Sequence, residues 1–204
     1  MVCRPASPVL LISAASRSPD TLAFTMDRPR VVFLLTGIMA SGKSTIAQLL
    51  AERFPKAAHV RGDVFRRMIV SGRRDMTSDA DPEAEDQLDL RYRLAAAATD
   101  AYFEAGFSVV VQDIALGEWL PRFAGLIRSR PLFVVVLAPR PESVEAREAG
   151  RPKSGYGAWA IEQLDGILRE ETPEMGLWID SSEQTPEQTA EELLGRAWSE
   201  AAVD

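Results

Sequence analysis

Between residues 31 and 200 the chain alternates short, nearly unbroken apolar runs with longer stretches whose apolar residues recur every three or four positions. The runs Val31–Leu35, Phe107–Asp113, which ends in an acid, and Leu132–Leu137 are rich in β-branched residues and predict strands buried on both faces. Two shorter strands are predicted, one from Ala57–Val60 and ending in Asp63, the other over Gly176–Asp180. The helical spacing is clearest over 45–54, with apolar positions 46, 49, 50 and 54, and over 83–105, with Leu88, Tyr92, Ala95, Thr99 and Tyr102 or Phe103 on one face. Further helices are predicted from Val64, from Gly117 to Ser129, from Pro141, from Ala158 to Glu171 with Ile161, Leu164 and Leu168 facing inward, and after Thr185. Thr185-Pro186-Glu187-Gln188 has the form of a capping box with proline at the first helical position. Strands alternating with helices predict an α/β domain, a parallel sheet covered on both faces by right-handed crossovers. Ligands of such sheets gather at the C-terminal strand ends, where Gly37, Asp63 and Asp113 fall.

Two segments break this pattern. Residues 71–83 form a polar connection, and Gly150-Arg151-Pro152-Lys153-Ser154-Gly155-Tyr156-Gly157 reads as a basic, glycine-rich flap. Residues 1–30 carry Pro5, Pro8, Pro19 and Pro29, and their arginines outnumber their two aspartates. They are expected to be a disordered leader to a single domain over 31–204, with Met26 a candidate start. Val9–Ile12 is too short for a secretory core and lacks a clear cleavage site after it.

Composition narrows the function. The 204 residues are 46% hydrophobic and carry a net charge of -7, so the overall field repels polyanions and a long nucleic-acid partner is disfavoured. The single cysteine, Cys3, has no partner, which fits a reducing cytoplasm. No apolar run approaches the length of a membrane span.

The chemistry concentrates in Gly37-Ile38-Met39-Ala40-Ser41-Gly42-Lys43-Ser44, which fits G-x-x-x-x-G-K-[ST] between a predicted strand and a predicted helix. Gly37 and Gly42 permit the tight turn that brings successive N–H groups onto a polyphosphate at the positive end of the helix dipole. Residues 37–44 together with Thr45 are therefore the candidate ATP-binding set. Within it Lys43 reaches the β- and γ-phosphates and the Ser44 hydroxyl ligates Mg2+.

With these motifs the chain resembles the small P-loop kinases of the nucleoside-monophosphate kinase-like group, and among them chloramphenicol phosphotransferase, gluconate kinase and the kinase domain of polynucleotide kinases. The resemblance spans about residues 31–200 and rests on the P-loop, on Asp63-x-x-Arg66 and on Arg147-x-x-x-Arg151. It implies a three-layer P-loop NTPase fold, a five-stranded sheet ordered 2-3-1-4-5 and a small lid. It implies further that Asp63 accepts the proton of a substrate hydroxyl, and that Arg147 and Arg151 are lid arginines bracing the γ-phosphoryl oxygens. A carboxylate at a strand end facing the γ-phosphate suits the first role. The plainer readings are a helix N-cap for Asp63 and a solvated i, i+4 face, with Glu145 and Glu148, for the arginines.

Arg66 is expected to orient the acceptor. Asp113 either holds Mg2+ through water, binds the acceptor or caps a turn. Asp180-Ser181-Ser182 resembles the loop beside the nucleotide base, His59 reads as structural, and Tyr156, Trp119 and Trp159 are aromatic residues able to stack on an acceptor or simply to pack. The expected activity is ATP- and Mg2+-dependent phosphorylation of a hydroxyl on a small molecule, an antibiotic or other natural product included. The alternatives are a nucleotide or nucleoside kinase, a nucleic-acid 5′-hydroxyl kinase, and a nucleotide-binding switch that transfers nothing to a small acceptor.

Overall fold

The unbroken apolar runs become the centre of one sheet. The computed structural model describes residues 29–77, 81–150 and 159–204. In it β1 (Val32–Gly37), β2 (Ala57–Arg61), β3 (Ser108–Gln112), β4 (Leu132–Leu137) and β5 (Leu177–Ile179) pair in parallel in the order β2-β3-β1-β4-β5. Every residue of β1, β3 and β4 is buried, as expected of strands with helices on both sides. Residues 1–28, 78–80 and 151–158, which take in all of the expected flap but Gly150, lie outside the described residues.

Alternate side chains of the central strands feed two cores. Val32, Leu34, Val109, Val111, Val134 and Val136 face α3 (Pro82–Glu104) and α4 (Trp119–Leu126), where Tyr92 stacks on Phe123 at 4.7 Å. On the same side lie α5 (Pro141–Ala149), through Val144, and α6 (Ile161–Gly166), through Leu164. Phe33, Leu35, Val110, Phe133, Val135 and Leu137 face α1 (Lys43–Ala51) and α7 (Pro186–Glu200). There Phe33, Phe133 and Trp198 meet edge to face with centroids 4.9–6.1 Å apart, an arrangement favoured by the ring quadrupoles.

Three features depart from the expected pattern. A sixth strand, β6 (Ala202–Val203), pairs antiparallel with Leu132 and Phe133 on the edge of β4 that β5 occupies further along. β2 stops at Arg61 rather than running to Asp63, and a short helix, α2 (Gly62–Arg67), begins at once with Arg61 as its N-cap. Asp63 thus lies in the first helical turn, where a negative charge complements the helix dipole, and is not the cap itself. The helix expected to 171 changes at Ile167 into a π-helical segment, Ile167–Glu171. There Arg169 reaches Asp165 at 2.9 Å and the Pro139 carbonyl at 3.0 Å. No helix among the described residues is long and apolar enough to cross a membrane.

Candidate active site

The turn from β1 into α1 is set by backbone geometry. Gly37 has φ 141°, and a Cβ there would stand 2.4 Å from the Leu137 carbonyl oxygen and 2.9 Å from Ser41 Oγ, so only glycine lets β1 and β4 close beneath the loop. Gly42, at φ 96°, is the N-cap of α1, and its carbonyl accepts from Thr45 and Ile46. Ala40, between them, is held in the left-handed region at φ 60°. Lys43 is buried and folds back into the loop, its Nζ donating to the Ile38 carbonyl at 2.7 Å and to Ser41 Oγ at 3.4 Å. Ser44 and Thr45 are exposed. The first N–H groups of any α-helix lack intrahelical partners. A glycine-lined turn, a lysine folded into it and two exposed hydroxyls at a helix start make a donor set suited to a polyphosphate and its divalent cation.

A cavity of about 300 Å3 opens beside this loop, between Ser41, Gly42 and Thr45 on one side and Arg147, Ser181 and Gln184 on the other. Arg147, near the end of α5, spans it by donating to the Ser41 carbonyl at 3.4 Å and the Ser181 carbonyl at 2.6 Å. The far wall is the loop after β5. It is shaped by Asp180, which accepts from the Ser182 N–H at 2.9 Å, while Ser182 Oγ accepts from the Arg140 N–H at 2.7 Å. The hydrogen bonds from Ser182, aided by the charges of Arg140 and Arg169 and opposed by burial, hold the Asp180 carboxyl below its usual pKa. Thr189 donates to Gln184 Oε1 at 2.9 Å and orients its amide, and the Ser181 hydroxyl is buried without a hydrogen-bond partner.

On the other side of the P-loop stands the β2–α2 corner. Asp63 Oδ2 accepts from Arg67 at 2.7 Å. Its Oδ1 is buried with no hydrogen-bond partner, and Arg61 Nε lies 3.6 Å away. Arg66 pairs with Asp75. The segment carrying Asp75 is held by Gln87, which bonds the Arg74 N–H and the Gly72 carbonyl at 2.8 Å each, and by Trp159, whose indole N–H donates to the Met76 carbonyl at 3.0 Å. His59 accepts or donates at Nδ1 with Gln48 at 3.0 Å. Burial and the Arg61 charge, against Asp63, lower its pKa, and its Nε2 is buried without a partner.

The structure therefore brings residues 37–45 together at the turn from β1 into α1 and sets Arg147 in a cavity wall rather than on a solvated face. Arg151 and Tyr156 lie outside the described residues. Trp119 packs beside Tyr92 at 5.8 Å. Of the three readings of Asp113, the turn cap agrees with what its carboxylate does in this structure. The carboxylate is buried in a two-pronged ion pair with Arg91 and also accepts from the Ile114 N–H at 2.7 Å. Arg91 was not singled out by sequence. It lies three residues after Leu88 and four before Ala95, on the apolar face of α3, and that placement was the available signal. Among the described residues no cluster of three His, Cys, Asp or Glu is arranged to hold a metal.

Comparison with known proteins agrees with this geometry. Residues 30–198 match the family model of the chloramphenicol phosphotransferase-like proteins. Among solved structures, a sugar kinase from Janibacter sp. HTCC2649 is 20% identical, with a TM-score of 0.62 over 82% of this chain and 94% of that one. The tunicamycin resistance protein of Deinococcus radiodurans is 19% identical, with a TM-score of 0.60 over 86% of this chain and 100% of that one. The APS kinase of Mycobacterium tuberculosis, in complex with AMPPNP and APS, is 17% identical, with a TM-score of 0.60 over 84% of this chain and 99% of that one. At these identities the likeness is one of fold. Among curated proteins none matches the chain. The family match covers nearly the whole described domain and, with the P-loop, makes this chain a member of the chloramphenicol phosphotransferase-like family of P-loop, ATP-dependent kinases.

Proposed function

We propose that this kinase transfers the γ-phosphate of Mg·ATP to a hydroxyl of a small natural product, with Asp63 as the base. The triphosphate would lie in residues 37–45, with the nucleoside continuing past Thr45 into the cavity under Arg147. Lys43 Nζ would leave the Ile38 carbonyl for β- and γ-oxygens, and the Ser44 hydroxyl would hold the cation. Bound there, Mg2+ neutralises charge on the β- and γ-phosphates. The acceptor oxygen attacks the γ-phosphorus, the bond from phosphorus to the ADP bridging oxygen breaks, and the acceptor proton passes to Asp63. Arg66 and Arg67, at the same corner, would orient the acceptor, and Arg151, with Arg147, would close the site from the flap.

The observation that carries this reading is Asp63 Oδ1. A buried carboxylate oxygen with no hydrogen-bond donor is costly. Here it lies in the first turn of α2, just past the end of β2, with the Arg61 guanidinium 3.6 Å away, and an incoming hydroxyl would satisfy it. A switch module that only binds nucleotide has no use for such an oxygen.

The test is Mg·ATP consumption against nucleosides, nucleotides, sugars, aminoglycosides, phenicols and a 5′-hydroxyl oligonucleotide, with mass spectrometry of the products. One acceptor class should gain a single phosphate, and Lys43→Ala should abolish the gain. Tight ATP binding with no phosphorylated product from any acceptor would favour the switch module, and unchanged nucleotide affinity in Lys43→Ala would remove the P-loop assignment.

A further inference from the structure

Asp113 follows β3 as Gly62 follows β2, and the two strands are in register up to the pair Arg61 and Gln112. The two residues are packed so closely that a Cβ on Gly62 would lie 1.8 Å from Asp113 Oδ2. The carboxylate therefore lies flat on the Gly62 backbone, one residue before Asp63. It is held from the other side by Arg91, whose Nε donates to Oδ2 at 2.6 Å and whose terminal nitrogen donates to Oδ1. The next residue of α3, Tyr92, donates to the Ile114 carbonyl at 2.6 Å, and Ala115 exchanges two hydrogen bonds with Thr36 Oγ1 at 2.7 and 2.9 Å. Thr36 directly precedes Gly37. A continuous polar bracket thus runs from the root of the P-loop through the exit of β3 to the β2–α2 corner.

Local forces alone do not fix that corner. α2 has six residues, fewer than a helix needs to be stable by itself. The Asp63 side chain is 40% exposed in its i, i+4 pair with Arg67, a kind of contact that contributes little. The Asp113 and Arg91 side chains are 2% and 13% exposed, so their pair is shielded from water and held in fixed geometry. Burial, partly offset by Tyr92, lowers the Arg91 pKa, with Arg66, Asp63 and Asp75 close enough to act on it.

We propose that Arg91 and Asp113 are positioning residues, whose ion pair fixes the β2–α2 corner, and with it Asp63, relative to the P-loop. The inference rests on the reading of Asp63 as the base. Its test compares wild type, Arg91→Lys and the neutral pair Arg91→Gln with Asp113→Asn, which leaves no buried charge unpaired if the single variant folds poorly. Three quantities are measured: amide exchange over residues 61–67, Mg·ATP affinity by calorimetry, and Mg·ATP hydrolysis with water as the acceptor. In both variants exchange over 61–67 should rise about tenfold, as loss of a charge-assisted bond implies. Hydrolysis should fall by a similar factor while Mg·ATP affinity stays within about twofold. In an Asp63→Asn background the Arg91 change should cost no further hydrolysis, because it acts through Asp63. Unchanged exchange at 61–67 in a folded variant, or losses from Arg91→Lys and Asp63→Asn that multiply, would overturn the proposal. Failure of the wild type to bind Mg·ATP would instead remove the proposed function, and the exchange comparison would still decide whether the pair holds the corner.

Discussion

Single residues show where the chain accepts strain and where it relies on buried charge. Ala40 occupies left-handed backbone inside the phosphate loop. For a residue with a Cβ that costs about 1–2 kcal/mol. Glycine would remove the strain but add about 0.4–1 kcal/mol of unfolded-state entropy. The first effect is the larger, so Ala40→Gly should stabilise the protein by about 0.5–1 kcal/mol in urea denaturation, and a loss of stability would show that the Ala40 methyl contributes more by packing than its backbone costs. Asp100, buried on α3, is the clearest acid-sensitive group. Burial pushes its carboxyl up, but hydrogen bonds from the Ser129 hydroxyl and N–H and from Arg128 outweigh this, and the net shift is downward from 3.8. A carboxyl lowered in the folded state contributes stability that is present above its unfolded pKa and lost as pH falls through the folded value. Thermal stability should therefore drop on acidification below about pH 4, and Asp100→Asn should be less stable near neutrality with a shallower acid limb. An identical pH profile in the variant would contradict the assignment.

Elements carry the residues of the site to their places, and they were unequally legible. The alternation of runs and periodic stretches suffices for the sheet. The run Leu132–Leu137 is β4 residue for residue, and the capping box at Thr185 is formed as its spacing predicts, with Thr185 Oγ1 accepting from the Gln188 N–H at 3.2 Å. What the pattern missed depends on tertiary contacts. β6 has two residues and exists because α7 delivers them to the free edge of β4. The π-helical turn is associated with Arg169 reaching carbonyls thirty residues away. The start of α2 at Gly62 reflects the close seat of the Asp113 carboxylate, which no local spacing encodes. Arg91 was hidden among the charges of α3, Asp89 and Arg93 included, although its position between Leu88 and Ala95 placed it on the buried face. The ion pair of Asp113 was not legible for the same reason, since its partner was not identified. Arg147 provides a prediction at this scale. It joins α5 to the P-loop and to the loop after β5 by two carbonyl bonds, so Arg147→Ala should weaken Mg·ATP binding about tenfold, the loss of a charged hydrogen bond. Unchanged affinity by calorimetry would separate the arginine from the nucleotide cavity.

At the scale of the whole molecule, one edge of the sheet gathers three functions that the chain distributes over its length. The C-terminal end of β1 supplies the phosphate loop, the loop after β5 supplies the far wall of a cavity, and the first turn of α2, directly after β2, supplies a carboxylate. The buried strands and two packed cores give that edge its rigidity, which matters because misplacing a reacting group by an ångström can cost about a hundredfold in rate. The family identifies a phosphotransferase, and in the function proposed here Asp63 is its base. The most direct measurement follows γ-labelled Mg·ATP through a single turnover with wild type and with Asp63→Asn, in the presence of the acceptor that gains phosphate. The label should appear on the acceptor hydroxyl with wild type and should arrive about 10²- to 10⁴-fold more slowly with Asp63→Asn at unchanged nucleotide affinity. Equal transfer by the two proteins would contradict the account.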